Sequence, residues 1–327
     1  MNIDAIRAAE QRLKGHVRRT PLLCSPNLDA IAGCRVFVKA ECLQHTGSFK
    51  YRGALSAISA LDADARKRGI IAFSSGNHAQ GIALAARQFD APAVIIMPQD
   101  APSTKIENTR TLGAEIVLYD RVGGEDRDAI GAELSAKRNL TLIKPFDNAQ
   151  VIAGQGTAGL EIAAQAQARG IDDADVIVCC GGGGFASGIA LALEADAPGF
   201  RVRPAEPAGF DDMARSLKAG ARLHNAQTSG SLCDAIITPT PGVLTFPILQ
   251  RLAGPGLVVS DEEALHAMAL AFAHLKVVAE PGGAVALASA LFHTSEIDAD
   301  TVIVTISGGN VDADVFQMAL KRCGDSA

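Results

Sequence analysis

The chain has no tryptophan and only 2 tyrosines in 327 residues, so it lacks the aromatic platform on which single-stranded nucleic acid stacks. Positive charge is not in excess either: 30 Lys and Arg stand against 36 Asp and Glu. The basic residues are scattered rather than striped along one face, which sets nucleic acid and anionic membranes aside as partners. No apolar run is long and uncharged enough to span a bilayer, and Met1 to Arg19 mixes charges into the stretch where a signal peptide would be continuously apolar. Seven cysteines form no Cys-x-x-Cys pair, and an odd count in a chain this long is not a disulfide framework. A reducing cytoplasm is the expected location. The chain also lacks a His-Glu-x-x-His pair for catalytic zinc and a Gly-x-Ser-x-Gly elbow for a serine hydrolase.

What is present is apolar: 48% of the residues are hydrophobic, enough for a large core and about two domains. Short apolar runs recur between helical stretches, among them Ile70-Ile71-Ala72-Phe73, Ala93-Val94-Ile95-Ile96-Met97, Asp175-Val176-Ile177-Val178-Cys179 and Thr301-Val302-Ile303-Val304-Thr305-Ile306. Runs that do not alternate, separated by helices, indicate parallel sheet covered on both faces. The fold class expected is α/β, with two open, twisted, mostly parallel sheets. The smaller domain is expected over residues 67–146, and the larger over 1–66 plus 147–327.

One stretch stands out, His45-Thr46-Gly47-Ser48-Phe49-Lys50-Tyr51-Arg52-Gly53-Ala54. Gly47-Ser48 offers a turn and an N-cap, which puts Lys50 in the first turn of a helix, where the dipole and apolar neighbours disfavour the ammonium. A neutral lysine amine suits covalent capture of a carbonyl. A helix start with Lys50 snorkelling into solvent reads equally well at this point.

Ligands of doubly wound sheets sit beyond the carboxyl ends of the strands, and three such ends are unusual. Phe73 leads into Ser74-Ser75-Gly76-Asn77-His78, Val178 into Cys179-Cys180-Gly181-Gly182-Gly183-Gly184-Phe185, and Ile306 into Ser307-Gly308-Gly309-Asn310. Four glycines between strand and helix let backbone N–H groups converge on an anion at the helix N-terminus. No Gly-Lys-Ser/Thr follows, so a nucleoside triphosphatase loop is excluded. A dinucleotide remains open, since Glu206 closes the next strand at the distance where an acid takes a ribose hydroxyl. Capping alone would also explain Asn77 and His78.

In order along the chain, Gly47-Ser48-Phe49-Lys50, Ser74 to Gly81, Val151 to Thr157, the tetraglycine run and Ser307 to Asn310 resemble the motif set of the threonine/serine dehydratase and serine racemase family. These are pyridoxal phosphate enzymes of the tryptophan-synthase β-subunit fold, fold type II, and the likeness displaces the dinucleotide. It implies that Lys50 tethers the cofactor aldehyde with Phe49 packed near the ring. Asn77 would meet the ring hydroxyl, Gly181, Gly182, Gly183 and Gly184 with Phe185 the phosphate, and Ser307 the ring nitrogen. Ser74, Ser75, Gly76, Asn77 and His78 would take the substrate carboxylate.

The same likeness bears on the substrate. Ser75 matches the second acid/base of the racemases, and Arg127 matches an arginine of serine racemases and 3-hydroxyaspartate dehydratases that suits a second carboxylate. Lys144-Pro145-Phe146-Asp147 looks more like threonine dehydratase. Glu206, Phe210 and Asp212 resemble the divalent-cation site of the racemase branch, for magnesium, calcium or manganese. Ala235 stands where the family usually has glycine against the ring. The expectation is an ammonia-lyase converting L-threonine or L-serine first, and 3-hydroxyaspartate next, to a 2-oxo acid and ammonia, with a serine or aspartate racemase as the alternative. A homodimer is implied by the same resemblance.

Overall fold

The computed structural model describes residues 1–74, 76–101, 103–120 and 123–324. The apolar runs form strands β1 (Leu22–Cys24), β2 (Arg35–Ala40), β3 (Ile70–Phe73), β4 (Ala93–Pro98), β5 (Glu115–Tyr119), β6 (Thr141–Leu142), β7 (Ala174–Cys179), β8 (Phe200–Pro207), β9 (Leu257–Val259) and β10 (Thr301–Ile306). Among the described residues they build two sheets. The larger has the order β1-β2-β10-β7-β8-β9 and the smaller β5-β4-β3-β6. Every pairing is parallel except β1 with β2.

Both faces of both sheets are covered, which is why the strands read as unbroken apolar runs. In the larger sheet Ile177, Val302 and Val304 pack toward the helices Asp261–Leu275 and Pro281–Phe292. Val176, Val178 and Ile303, one residue out of phase, pack toward Ala149–Gln167 and Gly184–Asp196. In the smaller sheet Ile70, Ala72 and Ile95 meet the helices Lys50–Ser59 and Asn77–Gln88, while Ile71, Val94 and Ile96 face Arg127–Arg138. Among the described residues no helix is long and apolar enough to cross a membrane.

The helix Lys50–Ser59 bridges the two layers. Leu55 and Ile58 belong to the core of the smaller sheet, and its opposite side lies against Ala149–Gln167. That contact needs glycine. A Cβ on Gly154 would come 2.5 Å from the Arg52 carbonyl oxygen, and one on Gly53 2.6 Å from the Gln155 amide. Arg52 is fully buried and bonds Glu41 and Glu161, each at 2.8 Å, and Lys39 reaches Glu161 at 2.5 Å. A buried set of this kind adds little net stability against an apolar replacement, but it fixes the azimuth of the helix.

Ser48 does not cap the helix: the N-cap position is Phe49, without a side-chain cap bond. Ser48 is extended, pairs with Gly308 across an antiparallel bridge, and has a buried hydroxyl without a partner among the described residues. The turn is held by the backbone of the last strand instead, with Phe49 N–H donating to Ser307 O at 3.1 Å and Gly309 N–H to Gly47 O at 2.9 Å. Both sheets therefore bring their switch points together. The segment after β3 lies where the order of the smaller sheet reverses, and those after β7 and β10 lie where the order of the larger one does.

Candidate active site

Between the two sheets lies a cavity of about 360 Å³. Phe49, Lys50, Ser74, Gly76, Asn77, His78, Arg127, Gly181, Gly182, Gly183, Gly184 and Phe185 all line it. Ser75 lies outside the described residues. Ser307 is buried one residue beyond β10 and does not line the cavity. Its carbonyl accepts from Phe49 N–H, and its side chain lies beside Cys179, which does line the cavity.

Lys50 extends over the face of Phe49, with Nζ 5.1 Å from the ring centroid, and donates to the Pro145 carbonyl at 3.2 Å. Burial pushes its ammonium down to about 8, partly opposed by Glu280. Phe49 stacks on Phe185 at 4.1 Å, so the wall beneath the amine is apolar. The lowered proton affinity of the amine comes from poor solvation, not from an adjoining base.

Asn77 is the first residue of its helix rather than its cap. Its Nδ2 donates to Glu280 at 2.6 Å and its Oδ1 accepts from Asn310 Nδ2 at 2.7 Å. Bonds on both ends fix which way the amide points and leave one N–H. His78 is committed elsewhere: its Nε2 meets the Ile143 carbonyl at 3.0 Å, and burial followed by Lys50 pushes it down to about 3. It is a neutral wall residue, not a cation for a carboxylate. Ser74 Oγ accepts from Gly76 N–H at 3.1 Å.

The glycine run closes one end of the cavity. Gly183 has φ +90°, and a Cβ on Gly182 would come 2.3 Å from the Phe146 ring. No backbone acceptor among the described residues takes the N–H of Gly181, Gly182 or Gly184. Those groups stand at the N-terminus of the helix Gly184–Asp196, so the end of the cavity is a receptor for an anion of phosphate type.

A lysine of lowered proton affinity and an anion cradle in one cavity agree with the match of residues 13–308 to the family model described as pyridoxal-phosphate dependent enzyme. The chain belongs to that family. Over 318 residues this pyridoxal-phosphate enzyme is 43% identical to the L-threo-3-hydroxyaspartate ammonia-lyase of Pseudomonas sp, a match spanning 97% of this chain and 98% of that one. The solved threonine deaminase of T.th. is 42% identical with a TM-score of 0.89, covering 95% of this chain and 99% of that one. The serine racemase of Dictyostelium discoideum is 35% identical with a TM-score of 0.88, at the same coverage.

The cofactor fits the residues present. Gly181, Gly182 and Gly184 have N–H groups to give a phosphate, Lys50 an amine for an aldehyde, and Asn77 a remaining N–H for a ring hydroxyl. When bound, pyridoxal phosphate supplies that aldehyde and a ring that draws electrons from the α-carbon.

A second polar site adjoins the cradle of the pyridoxal-phosphate enzyme. Glu206 and Asp212 are fully buried, with Phe210 between them in sequence. Glu206 accepts from Met213 and Ala214 N–H at 2.9 and 2.7 Å, one on each oxygen, which leaves each oxygen a further lone pair. Asp212 Oδ1 takes Asn225 Nδ2 at 2.6 Å, while its Oδ2 is buried with no partner among the described residues. Burial, then Asp212, raises Glu206 well above the usual carboxylate range, and burial lifts Asp212 to about 6. An orphaned oxygen beside a second buried carboxyl fits a cation. Among the described residues no three His, Cys, Asp or Glu gather, so a carbonyl and water would complete the oxygen set that magnesium or calcium takes.

Glu280 escaped the sequence reading, although it lines the cavity and holds Asn77. The available signal was an acid directly before Pro281-Gly282-Gly283, where a helix opens. Lys105 and Asp234 also line the cavity and carried no marker as ligand groups.

Proposed function

We propose that the enzyme is an ammonia-lyase acting on a β-hydroxy amino acid, and that 3-hydroxyaspartate fits its cavity better than threonine or serine. The observation that carries the substrate is Arg127, exposed at the mouth of a cavity whose interior already contains Lys50, Asn77 and the glycine cradle. One carboxylate of the substrate is common to all three candidates. Only hydroxyaspartate has another to offer a guanidinium. The likeness to the Pseudomonas L-threo-3-hydroxyaspartate ammonia-lyase supports the same choice.

In this reading Lys50 would hold the cofactor through its amine, and that amine, free once substrate is bound, would take the substrate's α-proton. Glycine N–H groups orient the phosphate, and Asn77, held by Glu280 and Asn310, orients the ring. Phe49 and Phe185 keep water from the amine. Ser307 stands as the candidate partner of the ring nitrogen, and Ser75 as the candidate second base. The Glu206 and Asp212 site takes a divalent cation and steadies the loop behind the cradle. We also propose two domains, supported by the confinement of β3 to β6 to residues 67–146, and a homodimer, to be checked by light scattering.

The test is a panel of L-threo-3-hydroxyaspartate, L-threonine and L-serine, scored for ammonia, 2-oxo acid and chirality of the remaining substrate. Hydroxyaspartate should show the highest kcat/KM, and Lys50→Ala should release no ammonia. Faster turnover of threonine overturns the substrate, and racemisation outrunning elimination overturns the lyase.

A further inference from the structure

The rim of the cavity is crossed by an ion pair that none of these roles uses. Lys105, on the helix Ser103–Thr111 beside the smaller sheet, reaches Asp234 Oδ2 at 3.5 Å and Asp312 Oδ2 at 4.0 Å, both in segments that follow the larger sheet's elements. The lysine side chain is 18% exposed, but the two carboxylates are 69% and 50% exposed. An ammonium largely withdrawn from water is thus served at long range by two acids that keep their own hydration, a weak arrangement. The crossing lies over the ligand space. Lys105, Asp234 and Ala235 line the same cavity as Lys50 and Arg127, and Lys105 and Asp234 act in opposite senses on the carboxyl of Glu280 within it.

We propose that Lys105 is a specificity-determining residue that joins Arg127 on the second carboxylate of a dicarboxylic substrate, with Asp234 as the internal stand-in the ligand displaces. The exchange leaves the ammonium paired before and after, so an enclosed ligand carboxylate replaces a hydrated one without stranding a charge. Serine and threonine have nothing to exchange and would leave the crossing intact. The inference rests on the hydroxyaspartate reading of this cavity.

Succinate has both carboxylates of the aspartate skeleton and no amine, so its binding to the cofactor-loaded protein reports charge recognition without turnover. Calorimetric titration should show Lys105→Gln weakening succinate about tenfold, the order of one charge-assisted hydrogen bond, with propionate within about twofold. Asp234→Asn, which removes the competitor, should tighten succinate about threefold. A crossing that merely clasps the two sheets together predicts the opposite sign for Asp234→Asn. Weaker succinate in that variant, or unchanged succinate in Lys105→Gln, overturns the proposal. If Lys105→Gln does not fold, the sign in Asp234→Asn decides alone. Ammonia release by the unsubstituted enzyme separates the two readings. Succinate binding that follows both substitutions, with no lyase activity on hydroxyaspartate, refutes the substrate and keeps the anion role. Retained lyase activity with succinate unmoved refutes the role of Lys105 alone.

Discussion

Replacing Glu280 by glutamine should make the protein more stable at pH 8 than at pH 5, relative to the unsubstituted chain. Glu280 is 6% exposed at the N-cap of the helix Pro281–Phe292. Burial pushes its carboxyl up to about 7. The Asn77 hydrogen bond pulls the other way, Asp234 adds to the rise, and Lys105 and Lys50 oppose it. Below pH 4.5 the group is protonated whether the chain is folded or not, so it makes no difference. As pH climbs from there through 7 the unfolded chain gives up its proton first, and the folded state loses stability. From the ordinary 4.5 to about 7 the loss is roughly 3 kcal/mol. Glutamine has no proton to lose, is the same size, and still offers an oxygen to Asn77 Nδ2. The gap in melting temperature between variant and parent should therefore widen by roughly 4 °C across that range for a chain of this length. Circular dichroism melts of matched samples at pH 5, 6, 7 and 8 read it directly. A gap independent of pH, or one that closes as pH rises, would refute the reasoning, because the cost would then lie in shape and not in charge.

Two further outcomes follow from buried charge. Arg52→Met should cost about 3–5 kcal/mol in urea unfolding, because the fully buried Glu41 and the nearby Glu161 would lose their common partner. Magnesium should raise the melting temperature and EDTA lower it, with a larger difference at pH 8 than at pH 5.5, since Asp212 must shed a proton near 6, and Glu206, also raised by burial, must shed its own to receive a cation. Asp212→Asn should abolish that difference in the same melts, and its persistence would remove the cation from this site.

The strands were legible because burial on both faces writes itself locally: Val176-Ile177-Val178-Cys179 is apolar at every position, and it became part of the middle of the larger sheet. Lys50 was legible for a related reason. Its small and aromatic neighbours are what a poorly solvated amine requires, and they are adjacent in sequence. Glu280 was not, because the bond that gives it meaning spans 203 positions to Asn77, while its own surroundings read as an ordinary helix start. Ser48 misled in the opposite direction. Gly-Ser before a helix is a common cap, but here the backbone of Ser307 and Gly308 had already claimed the turn. Glu206 showed how a spacing can agree with a ribose site while the carboxylate is turned onto the start of the following helix, beside Asp212. Lys105 and Asp234 sit on different sheets' elements, and no local pattern could have paired them.

The lacing of the lysine turn to Ser307, Gly309 and Asn310 has a consequence for biosynthesis. β10 lies between β2 and β7 at the centre of the larger sheet, yet it is the latest of those six strands to leave the ribosome. A nascent chain carrying Lys50 and the tetraglycine run therefore lacks the strand that joins them, and long-range pairing of this kind is slow to form. Until residue 310 emerges, the amine stays hydrated, with the proton affinity of an ordinary lysine. Carbonyl metabolites in the cell would meet fewer neutral amines at this position during synthesis than after the last strand has paired.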